Sequence, residues 1–520
     1  MSRYNTKSAG KTATVKTHQG GVGYKYDAKT ELIALLATGL DNKFYENENE
    51  RSKRFAEVLG EVASKDSVFA AKALVYARTV MGQRTVTHRG AVELAKYLSG
   101  SELGTRFYSK RDRKENKGGI IFRLDDMLEI AACYMALNPG KALSNAIRRG
   151  FKLALESADA YELAKYQAKN KELKLVDIVN LVRPKPTKEM EPVFAKLMKG
   201  ELKQFNTVED KNTEAGKVVA EKVKAGVITK AEAEAELNEA KTDNYAELIR
   251  TRKIGYLALI RNLRNILKSG ANTELVNMAC ELLVDETLIK NSLVFPHQID
   301  LALEIMLDEF SASQMGKFAV ALNKAYELAI PNLTELFTHG TTAIVYDGSG
   351  SMTSRISING KRSRESAITK AALVAATLAK ATNADVYCFD NSCFKVGYNP
   401  LDSVNTLKNH FAKNSHGGGT EFNSIFRTLD KAYDRVIVLS DMQGADSLTR
   451  GSSLQAYKSK YGIDPYIYSV DLCGYGTTMF NPKNSKTVSI FGYSADIYEY
   501  IKKAEIDPKA IIKEIEAIVI

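Results

Sequence analysis

The chain has 520 residues and a mass of 57.4 kDa, more than one hydrophobic core usually organises, so two domains are expected. Hydrophobic residues at 44% and charged residues at 26% exclude a disordered or fibrous chain, and no apolar run approaches the ~18 residues a membrane-spanning helix needs. The net charge of +11 is uneven: residues 1–340 hold 52 basic and 44 acidic residues, residues 341–520 hold 21 and 18, so an anionic partner such as nucleic acid is expected at the first part.

The N-terminus is basic and polar without an apolar stretch, so no secretory signal is expected and residues 1–16 read as a flexible terminus. Gly10-Lys11-Thr12 imitates the end of a phosphate-binding loop, but no strand precedes it. The five cysteines (Cys133, Cys280, Cys388, Cys393, Cys473) are scattered with no CxxC pair. That pattern fits reduced thiols and a cytoplasmic location, and neither a disulfide framework nor a zinc knuckle.

From about Ala28 to Thr338 the apolar residues recur at helical spacing, as in Ala142, Leu143, Ala146 and Ile147, or Tyr256, Leu259, Ile260, Leu263 and Ile266. Successive amphipathic helices joined by short turns predict stacked helical pairs over residues 17–340. The charge run Lys110–Gly119 reads as a solvated loop, and the stretch from Glu201 to Asp243 as an exposed helical excursion or mobile insertion. Basic stripes are candidates for phosphate contact. Lys141, Arg148 and Lys152 share a face of a helix expected near 141–152, with Arg149 beside it. Lys165 and Lys169 form an i, i+4 pair on another. Arg261, Arg264 and Lys268 fall within about 60° of one another at about 100° per residue. Each stripe also reads as an ordinary solvated helix face.

After Gly340 the pattern changes. The runs 342–347 (TAIVYD), 384–390 (ADVYCFD), 435–441 (RVIVLSD) and 464–471 (DPYIYSVD) alternate with amphipathic helices such as Ala367–Leu378, which predicts an α/β domain with a parallel sheet over residues 341–520. In such sheets ligands bind beyond the C-terminal strand ends. There the sequence places Asp347-Gly-Ser349-Gly-Ser351, then His416-Gly-Gly-Gly-Thr420, then Asp441. Two carboxylates and three hydroxyls make an all-oxygen set suited to Mg²⁺ or Mn²⁺ and poor for zinc. Water or an incoming carboxylate or phosphate would complete it. No histidine pair, nucleophile–base arrangement or catalytic carboxylate pair can be read, so no enzyme activity is expected.

The D-G-S-G-S loop, the G-G-G-T loop and the strand-ending Ser440-Asp441 resemble the metal-ion-dependent adhesion site of the von Willebrand factor A family, and residues 341–520 resemble that family throughout. The helical part resembles the TROVE module of the Ro ribonucleoprotein family. The resemblance rests on 140–149 (GKALSNAIRR), 257–264 (LALIRNLR), 295–299 (FPHQI) and 177–186 (DIVNLVRPKP); the glycine-rich metal loop is more like bacterial or phage members. The resemblance implies an all-α ring of HEAT-like repeats followed by the von Willebrand A domain. It also implies binding of Y-like noncoding RNA on an outer surface, for which Lys165, Lys169 and Lys174 are the candidates, and of the single-stranded 3′ ends of misfolded RNA in RNA quality control. A partnership with a 3′ exonuclease such as polynucleotide phosphorylase is implied as well. A histidine that animal members place shortly before the D-I-V-N-L segment has no counterpart here; Leu175 stands in its place. The alternative is a metal-dependent protein-interaction scaffold whose site at Asp347, Ser349, Ser351, Thr420 and Asp441 captures a partner's carboxylate.

Overall fold

The computed structural model describes residues 14–520 except 168–171, 203–207, 269, 293, 295, 330–339, 354, 359–360, 449–451, 493–496 and 508; side chains are described at these residues other than 208–214, 296–297, 301, 304, 308, 312, 355–358, 361–365, 498–499, 502 and 505. Two compact units emerge. One takes the described residues of Met1–Phe194, Leu333–Asp402 and Thr406–Ile520, the other those of Ala195–Asn332 and Ser403–Asn405.

In the first unit, helices Ala28–Thr38, Glu48–Lys65, Ser67–Thr79, Thr85–Leu94, Leu124–Leu137, Asn145–Glu156 and Leu175–Val182 follow one another, each packed on its successor. Asp27, Asn47 and Asp66 accept amide protons that the first turns leave unpaired, which fixes where three of these helices start. Leu32 and Leu35, Phe55 and Leu59, and Leu74 form the wholly buried seams between them.

Three local expectations are corrected. The helix near 141–152 begins at Asn145, because Ser144 caps it by accepting the Ile147 N–H at 3.4 Å and Gly140 turns the chain at φ +75°. Lys141 therefore stands ahead of the helix, and Ala142 is exposed. Helix Ala160–Lys165 closes at Tyr166, whose N–H returns to the Glu162 carbonyl. Lys165 is thus the last residue of its helix; Lys169, its expected partner, lies outside the described residues. The charge run at 110–119 is a two-stranded hairpin, Arg111–Asp112 against Lys117–Gly118. Arg111 is buried and donates to Gly118 O at 2.7 Å, Asn116 O at 2.6 Å and Val519 O at 3.2 Å, pinning the C-terminus.

In the second unit, Val208–Lys224 and Lys230–Arg250 form a helical hairpin. Tyr256–Lys268, Thr273–Leu283, Glu286–Ser292, Pro296–Glu309 and Ala312–Ala329 follow. Tyr256, Leu259, Ile260, Leu263 and Ile266, the stripe read from spacing, are all buried.

The C-terminal part of the first unit holds a six-stranded sheet in the order Thr487–Phe491, Tyr466–Asp471, Arg435–Ser440, Thr342–Asp347, Asp385–Phe389, Cys393–Lys395. All neighbours are parallel except the last pair. The strands Thr342–Asp347 and Arg435–Ser440 are buried at every residue, as a sheet covered on both faces requires. Helix Ala367–Thr382 covers one face, and Phe422, Ile425 and Phe426 pack with Val345, Phe389 and Val438. The chain order reverses between Thr342–Asp347 and Arg435–Ser440, and the C-terminal ends at such a reversal are where sheets of this kind hold ligands.

An N-terminal hairpin, Thr14–Lys16 against Val22–Lys25, adds to Thr477–Thr478, so of residues 1–16 the described ones form a strand. Helix Glu48–Lys65 is locked to the loop after Tyr466–Asp471. The wholly buried Arg51 donates to Cys473 O at 2.7 Å, Gly39 O at 2.6 Å and Thr38 Oγ1 at 2.5 Å and pairs with Glu46 at 3.0 Å. Arg54 bridges Glu31, Glu46 and Gly474 O.

Candidate metal centre and nucleic-acid interface

Strand Thr342–Asp347 ends on Asp347, and the neighbouring strand Arg435–Ser440 delivers Asp441 as the next residue. The loops between are stitched by backbone. Gly348 N donates to Phe389 O at 2.8 Å, Gly350 N to Gly418 O at 2.9 Å, Gly417 N to Gly348 O at 3.0 Å and Ala445 N to Thr420 O at 2.8 Å. Asp446 fixes the start of helix Phe422–Thr428 by accepting Phe422 N at 3.0 Å and Asn423 N at 2.7 Å. These contacts bring the three loops to one sheet edge.

Within that edge Asp347 Oδ1 accepts Ser349 N at 2.9 Å, and the Ser349 and Ser351 hydroxyls lie 3.2 Å apart. Ser440 Oγ, which the sequence marked as part of the Ser440-Asp441 motif and not as a candidate ligand, donates to Asp347 Oδ2 at 2.5 Å. Asp441 Oδ1 accepts Gln443 N at 3.1 Å, while its buried Oδ2 has no hydrogen-bond partner among the described residues. Burial, with Asp390 adding repulsion, raises the Asp347 carboxyl above the usual range; burial and the Asp347 charge raise Asp441 further. Nearby serine hydroxyls oppose both shifts, yet none reaches Asp441 Oδ2 in bonding geometry. An orphaned carboxylate oxygen beside a second carboxylate and three hydroxyls is what a hard divalent cation would satisfy, so the residues fit Mg²⁺. Among the described residues no group of three or more His, Cys, Asp or Glu side chains could hold a metal ion; the set here has two carboxylates and three hydroxyls.

Residues 342–504 match the family described as the Ro60 vWA domain. The crystal structure of the Ro (RSR) protein of Deinococcus radiodurans superposes with a TM-score of 0.52 at 17% identity, covering 92% of this chain and 99% of that one. The chain is Ro-like. Its residues 342–504 are similar to the Ro60 von Willebrand A domain, and helical part and A domain together have a fold similar to that of the Deinococcus Ro protein. No curated protein matches the sequence.

On this Ro-like scaffold the basic candidates fall into separate groups. Arg148 and Arg149 are exposed on helix Asn145–Glu156, Arg148 Nη2 donating to Leu181 O at 3.4 Å; Lys152 lies 4.0 Å from Glu156. Lys165 Nζ sits 5.3 Å from the Tyr161 ring and 5.6 Å from the Tyr166 ring, and Tyr161 is itself 43% exposed, so a cation and an aromatic face are presented together. Lys174 is exposed at the start of Leu175–Val182, where its amide donates to Asp177 at 2.7 Å. In the second unit Arg264 and Lys268 both pair with Glu309, at 3.0 and 2.8 Å, whereas Arg261 is exposed with no acidic partner among the described residues. The stripe expected from spacing is therefore electrostatically uneven.

Proposed function

We propose that the chain is a non-catalytic RNA-binding protein of the Ro type, which binds Y-like noncoding RNA and the single-stranded 3′ ends of misfolded RNA. The Ro-like fold over 92% of the chain carries this reading. Exposed Arg148, Arg149, Lys165, Lys174 and Arg261 would neutralise phosphates, and the Tyr161 ring beside Lys165 offers a stacking face for an unpaired base. Such a surface selects strands that are already single over base sequence. A 3′ exonuclease such as polynucleotide phosphorylase is the proposed partner, and the cytoplasm the proposed place. Fluorescence anisotropy with an unstructured RNA at several salt concentrations tests the reading. Log K should fall with log salt at a slope of about −0.7 per phosphate contacted; a flat line would refute phosphate-driven binding.

We propose further that Asp347, Ser349, Ser351, Thr420 and Asp441 hold Mg²⁺ or Mn²⁺, the orphaned Asp441 oxygen being the supporting observation. The cation would supply a fixed positive centre and a position open to oxygen. The second reading, a metal-dependent protein-interaction scaffold, rests on that same site. RNA binding that survives EDTA and Ser349→Ala assigns RNA to the basic faces, whereas loss of a protein partner with Ser349→Ala assigns the A domain to capture.

A further inference from the structure

A site that captures a partner's carboxylate should present its ligands to solvent. Here Asp347, Ser349, Thr420 and Asp441 are 0% exposed and Ser351 is 7% exposed. The cover is the turn of the N-terminal hairpin, Thr17 to Gly21. Thr17 Oγ1 donates to Gly444 O at 2.6 Å, His18 N to Gln443 Oε1 at 2.9 Å and Val22 N to Asp446 O at 3.0 Å, so the turn lies along the loop that follows Asp441. Gly21 makes the approach possible: a Cβ there would stand 2.3 Å from Asp446 O and 2.4 Å from Gly444 O. Gln19 Nε2 then donates to Thr420 Oγ1 at 2.8 Å. That bond takes one lone pair of the hydroxyl and leaves the other for a cation. Beside it the His18 ring stacks on Tyr45 at 4.9 Å and 5°, and Tyr475 meets both rings edge-on at 5.4 and 5.5 Å.

We infer that the turn Thr17–Gly21 is a built part of the cation site: Gln19 positions the Thr420 hydroxyl, and with the His18–Tyr45–Tyr475 stack it closes the mouth of the site. The inference rests on the cation reading of the site. A partner that offers a carboxylate must lift Gln19 from Thr420, and a bound cation ties residues 14–25 to the A domain. Gln19 is thus a positioning residue, and its removal opens the site without removing a ligand.

The test uses the full chain and Mn²⁺, with binding read from loss of the free-ion resonance and exchangeable waters from proton relaxation enhancement. Wild type and Gln19→Ala should both bind Mn²⁺, with Gln19→Ala showing the greater enhancement. A glutamate-containing peptide should bind the Mn²⁺-loaded variant at least about tenfold more tightly than the loaded wild type. Tyr45→Ala, which removes the stacked roof and leaves Thr420 untouched, should shift the enhancement the same way and guards against a folding defect at Gln19. Equal enhancement and equal peptide affinity in all three Mn²⁺-loaded proteins would overturn the cap alone. No Mn²⁺ binding by any of them would overturn the cation reading and the inference with it.

Discussion

The Asp441 carboxylate is wholly buried, receives one amide proton from Gln443, and keeps Oδ2 unpartnered beside the equally buried Asp347. Without a cation this arrangement costs stability, because two like charges are held out of water. Asp441→Asn should therefore leave the metal-free chain at least as stable as wild type and abolish the rise in melting temperature that Mg²⁺ gives. A mere turn-stabilising role predicts a loss of about 1 kcal/mol and no metal response in either protein. Thermal unfolding with Mg²⁺ and with EDTA separates the two. The pH dependence follows from the raised carboxyls. Above the unfolded value of about 3.9 the metal-free folded chain holds more protons than the unfolded one, so its stability falls as pH rises. A cation cancels that loss, so the Mg²⁺-induced stabilisation should grow from about pH 5 to about pH 8. A shift that shrinks with pH would contradict the cation reading. On the helical side, Arg261→Ala should weaken RNA binding more than Arg264→Ala, since Glu309 already neutralises Arg264. Unchanged binding by Arg261→Ala would remove Arg261 from the interface, and equal losses would refute the neutralisation by Glu309.

At the scale of elements, the N-terminal hairpin and helix Glu48–Lys65 both act by gripping the A domain. Gly21→Ala would force the turn off the 444–446 backbone, and trypsin should then cut after Lys16 or Lys25 faster than in wild type. Unchanged cleavage would mean the turn does not depend on that approach. Arg51→Ala strips Cys473 O, Gly39 O and Glu46 of a buried partner and should cost about 3 kcal/mol in urea unfolding; a change within about 0.5 kcal/mol would show the lock to be superficial. Neither grip was legible in the sequence. The strands Thr342–Asp347 and Arg435–Ser440 were legible, because a doubly covered parallel strand must be an unbroken apolar run, and so was the gathering of the Asp347, Thr420 and Asp441 loops at one sheet edge, because strand order sends such loops to the C-terminal strand ends. Gln19 lies about 400 positions from Thr420 in the chain, and no local pattern announces such a contact. Lys141 was misplaced for a local reason: helical spacing continued back past Ser144, and the capping side chain ended the helix where the spacing did not.

For the whole molecule, the change of pattern near Gly340 separates a helical region from a sheet-containing one, and the Ro-like fold has that arrangement over nearly its full length. Packing divides the chain differently, placing helices up to Phe194 in one unit with the A domain and Ala195–Asn332 in another. Chain order governs the first division and long-range contacts such as Arg51 to Cys473 govern the second, so only the first can be read from residue periodicity. The basic excess of residues 1–340 lies in residues 1–194, with 34 basic and 23 acidic residues, while residues 195–332 hold 18 and 20, so the footing of the RNA reading is the helical part of the first unit. The most direct measurement is a gel-shift titration of the full chain at two salt concentrations against three RNAs: a hairpin with a single-stranded 3′ tail, the same hairpin blunt, and the hairpin with the tail at its 5′ end. Tight, salt-sensitive binding that prefers the 3′ tail is the predicted result. Equal affinity for the blunt hairpin, or no binding at low salt, would contradict the Ro-type function.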